Sequence, residues 1–125
     1  MIPLVAVVDD DFSVRESLES LLRSAGLGVK VFASAEEFLD SAHHGEPDCL
    51  VLDVRLPAMS GIDLHQHLLA DNHKVPAIFI TGHASDDRAR SKASSGWTVA
   101  YLIKPFAEEE LLDAVNAALK WEPGD

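Results

Sequence analysis

Four aspartates, a threonine and a lysine are the residues of this chain whose types and places suggest shared chemistry. Asp9, Asp10 and Asp11 stand together in VVDDDFSVR (7–15). Asp53 closes CLVLD (49–53), Thr81 closes VPAIFIT (75–81) and Lys104 follows VAYLI (99–103). Carboxylates so close repel: two unit charges about 4 Å apart cost roughly 4 kcal/mol at an effective dielectric near 20. A cation among them removes that cost. Oxygen-only ligands select a hard ion, and a site with few carboxylates and room for water suits Mg²⁺ (or Mn²⁺), which often also coordinates phosphate oxygens. The Thr81 hydroxyl and the Lys104 ammonium would hold the remaining oxygens of a phosphoryl group. A carboxylate inside such a site can act as nucleophile and become an aspartyl phosphate. Asp53 is the choice, on the central strand, with the first-strand pair flanking it.

Those residues meet only if the chain brings the ends of its apolar runs together. LVAVV (4–8), GVKVF (28–32), CLVLD (49–53), VPAIFIT (75–81) and VAYLI (99–103) read as five strands, with Pro76 near the start of the fourth. Between them lie amphipathic stretches. Val14, Leu18, Leu21, Leu22 and Ala25 recur at helical spacing before Gly26, and Ser13 with Glu16 is a candidate capping box. Ser34 with Glu37 opens a second helix that fades at His43-His44-Gly45. Ser60-Gly61 opens a third, with Ile62, His65, Leu68 and Leu69 inward. The last helix carries Glu108, Glu109 and Glu110 in its first turn, where the helix dipole favours negative charge. Its inner face is Leu111, Leu112, Val115, Ala118 and Leu119, and Trp121 closes its end. ASDDRARSKASSG (84–96) should be a helix by position, but its only apolar residues are alanines, so it is the least stable one. Strands alternating with helices imply right-handed βα units and a parallel sheet covered on both faces. In such a sheet, ligands bind beyond the carboxyl ends of the strands. That is where all six residues fall.

At 125 residues the chain suits one domain, and at 47% hydrophobic it can fill a core. The formal net charge of −11 argues against nucleic acid or an anionic membrane as a direct partner. No apolar run approaches the ~20 residues of a membrane-spanning helix. The MIPLVAVVDDD start lacks the basic region of a secretory signal, and the one cysteine, Cys49, sits in an apolar strand. A reducing, cytoplasmic setting is the expectation. The six histidines show no metal-ligand spacing.

VVDD (7–10), VLDVRLPAMSG (51–61), ITGH (80–83) and YLIKPF (101–106) occur in an order and at a spacing that carry a resemblance. The chain resembles the receiver domain of bacterial two-component response regulators over nearly its whole length. DVRLPAMSG and TGH look closest to the subfamily that precedes helix-turn-helix output domains in nitrogen-fixation regulators. The resemblance implies a flavodoxin-like, doubly wound, five-stranded (βα)5 sheet of order 2-1-3-4-5, with residues 1–121 as the receiver and 122–125 as a polar tail or linker start.

It also implies roles. Asp53 matches the phosphoacceptor. Asp9 and Asp10 match the Mg²⁺-binding pair, with the Arg55 backbone carbonyl as a further ligand. Thr81 matches the switch hydroxyl, and Gly82 the small residue that leaves access to the aspartate. Lys104 matches the phosphoryl-contacting lysine, aimed by a cis bond to Pro105. Tyr101 matches the aromatic that swings inward. Arg55 and His83 match positions that tune phosphoryl lifetime. Asp11 matches none of these and reads as a solvated or capping residue.

By the same resemblance a sensor histidine kinase supplies the phosphoryl group. The response appears on the surface of the fourth helix, fifth strand and last helix, as a homodimer or through an output domain acting on transcription. The chain would promote its own phosphorylation and dephosphorylation without being a turnover enzyme. Two features depart from the pattern: the Thr81–Lys104 spacing looks one residue long, with the extra residue in SSGWTVAY, and the 84–96 stretch lacks an apolar face. Three rivals remain: a metal-dependent aspartyl-phosphate phosphatase, a flavodoxin-like cofactor binder and an unphosphorylated interaction module. The first lacks its general acid, because Arg55 stands in that place. The second would need an uncharged phosphate loop where this one is acidic.

Overall fold

The computed structural model describes residues 2–41, 46–82 and 96–121. Five strands form one parallel sheet: β1 (Leu4–Val8), β2 (Gly28–Phe32), β3 (Cys49–Asp53), β4 (Ala77–Thr81) and β5 (Thr98–Ile103). Their order is β2-β1-β3-β4-β5, as expected. The helices are α1 (Phe12–Ser24), α2 (Ala35–Asp40), α3 (Gly61–Ala70) and α4 (Glu108–Leu119). The helix expected over 84–96 falls outside the described residues, except for Gly96, which lies in a turn.

Alternation along the strands divides the core in two. Ala6, Val8, Leu50, Leu52, Ala77 and Phe79 point to one face, where α2 and α3 add Phe38, Ile62, Leu64 and Leu68. Val5, Val7, Cys49, Val51, Ile78 and Ile80 point to the other, where α1 and α4 add Leu18, Leu22, Leu111 and Val115. β3 and β4 are buried throughout, which explains their unbroken apolar runs. His65 is buried too, its Nε2 2.8 Å from the Val75 carbonyl oxygen and its ring edge-on to Phe79. Burial holds its imidazole below the usual range, although the Val75 bond acts the other way.

Helix ends follow local chemistry. Ser34 and Ser60 cap α2 and α3, accepting from the amides of Glu37 and Asp63. α1 differs from the expectation: it starts at Phe12, so Ser13 lies inside it. Asp11 is the cap, and its Oδ1 accepts from the Ser13 and Val14 amides at 2.8 and 3.2 Å. A carboxylate in extended backbone satisfies two open amides at once. Asp11→Ala is therefore expected to cost about 1 kcal/mol in urea unfolding, the usual loss for a removed cap. α1 ends in a Schellman turn around Gly26 at φ 87°, with Leu27 N–H donating to the Leu22 carbonyl. Trp121 does close α4: its indole N–H donates to the Gly96 carbonyl at 2.7 Å, tying the helix end to the turn before β5.

β4 begins at Ala77, after Pro76, because proline cannot donate to the ladder. β5 begins one residue earlier than expected. Ala77 pairs with Thr98 but Ile78 with Ala100, so Val99 is an extra residue on β5. This irregularity lies inside SSGWTVAY, the stretch in which the resemblance to receiver domains implies an additional residue.

Candidate functional site

The ends of β1 and β3 bring the acidic groups together. Asp9 leaves β1 fully buried, its amide bonded to the Phe32 carbonyl at 3.1 Å. Its Oδ1 accepts from the Asp11 amide at 2.9 Å, and its Oδ2 accepts from Lys104 Nζ at 3.2 Å. Asp53 ends β3, also buried, with Oδ1 accepting from the Arg55 amide at 2.9 Å and Oδ2 3.6 Å from Lys104 Nζ. Asp10 is exposed. One carboxylate oxygen from each of Asp9, Asp10 and Asp53 lies within 4.8 Å of the others. Among the described residues this is the one cluster of acidic, histidine or cysteine side chains close enough to hold a metal ion.

Lys104 arrives from the far edge of the sheet. Its amide donates to the Thr81 carbonyl at 2.7 Å, joining the ends of β4 and β5, and its bond to Pro105 is cis. Thr81 is fully buried at the end of β4, and Gly82 beside it is exposed, with open space over its Cα among the described residues. Pro105 and the Arg55 side chain face solvent. Tyr101 is half-buried, with its ring 6.5 Å from that of Phe79. His83 lies outside the described residues.

Electrostatics follow from this crowding. Burial pushes the Asp53 carboxyl up to about 6; the neighbouring Asp9 adds to the rise, while the Arg55 amide and Lys104 oppose it. Burial pulls the Lys104 ammonium down, but Asp53 and Asp9 outweigh it and hold it above its usual value. The donors are carboxylate oxygens, three negative charges face one ammonium, and the cluster opens to water at Asp10. A hard divalent cation fits that set.

In the sequence Gly61 reads only as a helix start; the structure gives it a second part. A Cβ there would stand 2.2 Å from the Asp53 carbonyl oxygen and 3.1 Å from Leu52 Cβ. The Gly61 amide donates to the Val54 carbonyl at 3.2 Å, so α3 begins hard against the strand end that carries Asp53. A glycine directly after a helix-capping serine, where a better helix former would serve, is the sequence signal of that close approach.

A doubly wound parallel sheet thus carries an acidic cluster, a threonine and a lysine on one carboxyl edge. The chain belongs to the response regulator receiver domain family, whose model matches residues 5–116. It is 45% identical over 120 residues to the response regulator protein TodT of Pseudomonas putida, covering 96% of this chain and 52% of TodT. It is 50% identical over 115 residues to nodulation protein W of Bradyrhizobium diazoefficiens, covering 92% of this chain and 50% of that protein. The chain thus spans about half the length of these curated relatives. Among solved structures, response regulator StyR superposes with a TM-score of 0.83 at 44% identity, over 96% of this chain and 60% of StyR. FixJ-N superposes with a TM-score of 0.82 at 32% identity, over 100% of this chain and 99% of FixJ-N, in keeping with the FixJ-like character expected of DVRLPAMSG. Among the described residues no helix is long and apolar enough to cross a membrane.

Proposed function

We propose that Asp53 is the phosphoacceptor of this receiver domain, that Asp9, Asp10, Asp53 and the Arg55 carbonyl hold Mg²⁺ (or Mn²⁺), and that a sensor histidine kinase is the donor. The observation that carries it is the buried Asp53 carboxylate, with Lys104 Nζ 3.6 Å from Oδ2 and Asp9 and Asp10 beside it. In the reaction an Asp53 oxygen forms a bond to phosphorus as the bond from phosphorus to the donor's histidine nitrogen breaks. The electron pair of that bond leaves with the imidazole, which takes a proton from solvent. Lys104 stays ion-paired to the site and neutralises charge on the phosphoryl oxygens. A bound divalent cation supplies further neutralisation of that charge. The Thr81 hydroxyl donates to a phosphoryl oxygen, and its movement, with that of Tyr101, carries the signal to β5 and its neighbours. Gly82 leaves the approach open, and Arg55 and His83 govern the access of hydrolysing water.

On this reading the chain is a signalling domain rather than a turnover enzyme, residues 1–121 are the receiver, and 122–125 are a polar tail or the start of a linker. It works in the cytoplasm, through a homodimer or an output domain that regulates transcription. The net charge of −11 supports leaving nucleic-acid contact to another domain. Incubation with acetyl phosphate and intact-mass measurement tests the proposal. One phosphoryl group should appear with Mg²⁺ and none after chelation; labelling indifferent to the metal overturns it.

A further inference from the structure

We infer that Arg15 is a positioning residue for the acidic cluster, acting through the Asp9–Asp10 peptide. This rests on the metal-binding reading above. Arg15 lies on the first turns of α1 near Glu16, Glu19 and Glu37, yet among the described residues it forms no salt bridge. Its guanidinium instead donates from Nη1 to the Asp9 main-chain carbonyl at 2.7 Å, with Cζ 5.7 Å from the centre of the exposed Phe12 ring. That carbonyl shares a peptide plane with the amide of Asp10.

The two aspartates are held very differently. Asp9 is bonded through its amide, both carboxylate oxygens and its carbonyl. Asp10 is exposed, and its carboxylate has no hydrogen bond or ion pair among the described residues. Repulsion from Asp9 and Asp53 works against that carboxylate's place in the cluster. Its place within 4.8 Å of those carboxylates is therefore set by the backbone, and Arg15 is the side chain that restrains the peptide plane leading into it. A charged donor on a neutral carbonyl is among the stronger hydrogen bonds. Outer partners of this kind orient ligands and matter to affinity nearly as much as the ligands do.

The experiment is calorimetric titration of the folded chain with Mg²⁺, beside the melting temperature without metal. Arg15→Met keeps an apolar stem against Phe12 and removes the donors; it is expected to weaken Mg²⁺ binding about tenfold. Arg15→Lys, which keeps a charged donor on α1, should recover part of the loss. Phe12→Ala should keep wild-type affinity. In an Asp10→Ala background, Arg15→Met should have little further effect, which a general loss of stability would not reproduce. Wild-type affinity in Arg15→Met overturns the inference, as does an equal loss in Phe12→Ala or an undiminished loss in the Asp10→Ala background. Absence of Mg²⁺ binding by the wild-type chain overturns the metal reading itself, and this inference with it.

Discussion

Asp53→Asn is expected to take up no phosphoryl group from acetyl phosphate with Mg²⁺ present, and to melt higher than the wild-type chain at neutral pH. The first effect is all-or-none, because an amide offers no carboxylate nucleophile in the place between Lys104 and Asp9. Asp9 cannot substitute: it is fully buried and both its oxygens are engaged. Labelling that persists in the variant at another residue would sink the assignment.

The second effect follows from linkage. The folded Asp53 carboxyl is raised from 3.8 to about 6, chiefly by burial. Between those values the folded state holds a proton that the unfolded state has lost, so this group's contribution falls as pH rises through the window. Above about pH 6 the penalty is complete, and asparagine does not carry it. The displacement corresponds to about 3 kcal/mol before screening. Water reaching the cluster from the Asp10 side reduces it to about 1 kcal/mol. His65 works in the opposite sense: its imidazole is held below 6.5, so stability is lost as pH falls below that value. Both chains contain His65, so the difference between their melting curves at pH 4, 6 and 8 isolates Asp53. It should be near zero at the lowest pH and widest at the highest. A difference that stays constant with pH would rule out the buried Asp53 charge as its source.

Gly61→Ala is expected to lower stability by about 3 kcal/mol, the upper end for overpacking, and to slow labelling of Asp53 as well. The added methyl would meet a backbone carbonyl, not the end of a flexible side chain. Relief requires either α3 or the end of β3 to move. α3 is held by Ile62, Leu64 and Leu68 in the core, and β3 by ladders on both sides. The preceding loop offers little slack, because Ala58 already sits at φ 66° and Met59 N–H donates to the Pro57 carbonyl at 2.7 Å. Urea unfolding and the initial rate of phosphoryl uptake check the two parts. An unchanged midpoint would show that the approach of α3 to Asp53 does not constrain this position.

Most of the site is legible in the sequence. The first three strands have the same bounds in the structure as in the apolar pattern, because each is a short apolar run closed by a polar or turn signal. Each strand places its last residue at the same edge, so Asp9, Asp53, Thr81 and Lys104 had to meet once a parallel sheet was granted. Two local expectations changed. Asp11, not Ser13, caps α1, since several residues in DDDFS are good caps and only backbone geometry selects among them. The start of β5 shifted with its irregular pairing to β4, a register matter that strand composition does not encode.

The sequence by itself determined the order of elements, the acidic edge and the residue types that could bind a cation and a phosphoryl group. Those follow from periodicity and side-chain chemistry, which are local. The tertiary structure alone decided how the carboxylates are held. Asp9 is gripped on every side while Asp10 is left to its backbone; Lys104 reaches both Asp9 and Asp53; Gly61 lies against the Asp53 carbonyl; and Arg15 turns from nearby glutamates to a main-chain oxygen. These are contacts between residues up to 95 positions apart. Their distances are set by how helices pack on the sheet, which residue types and periodicity alone do not fix.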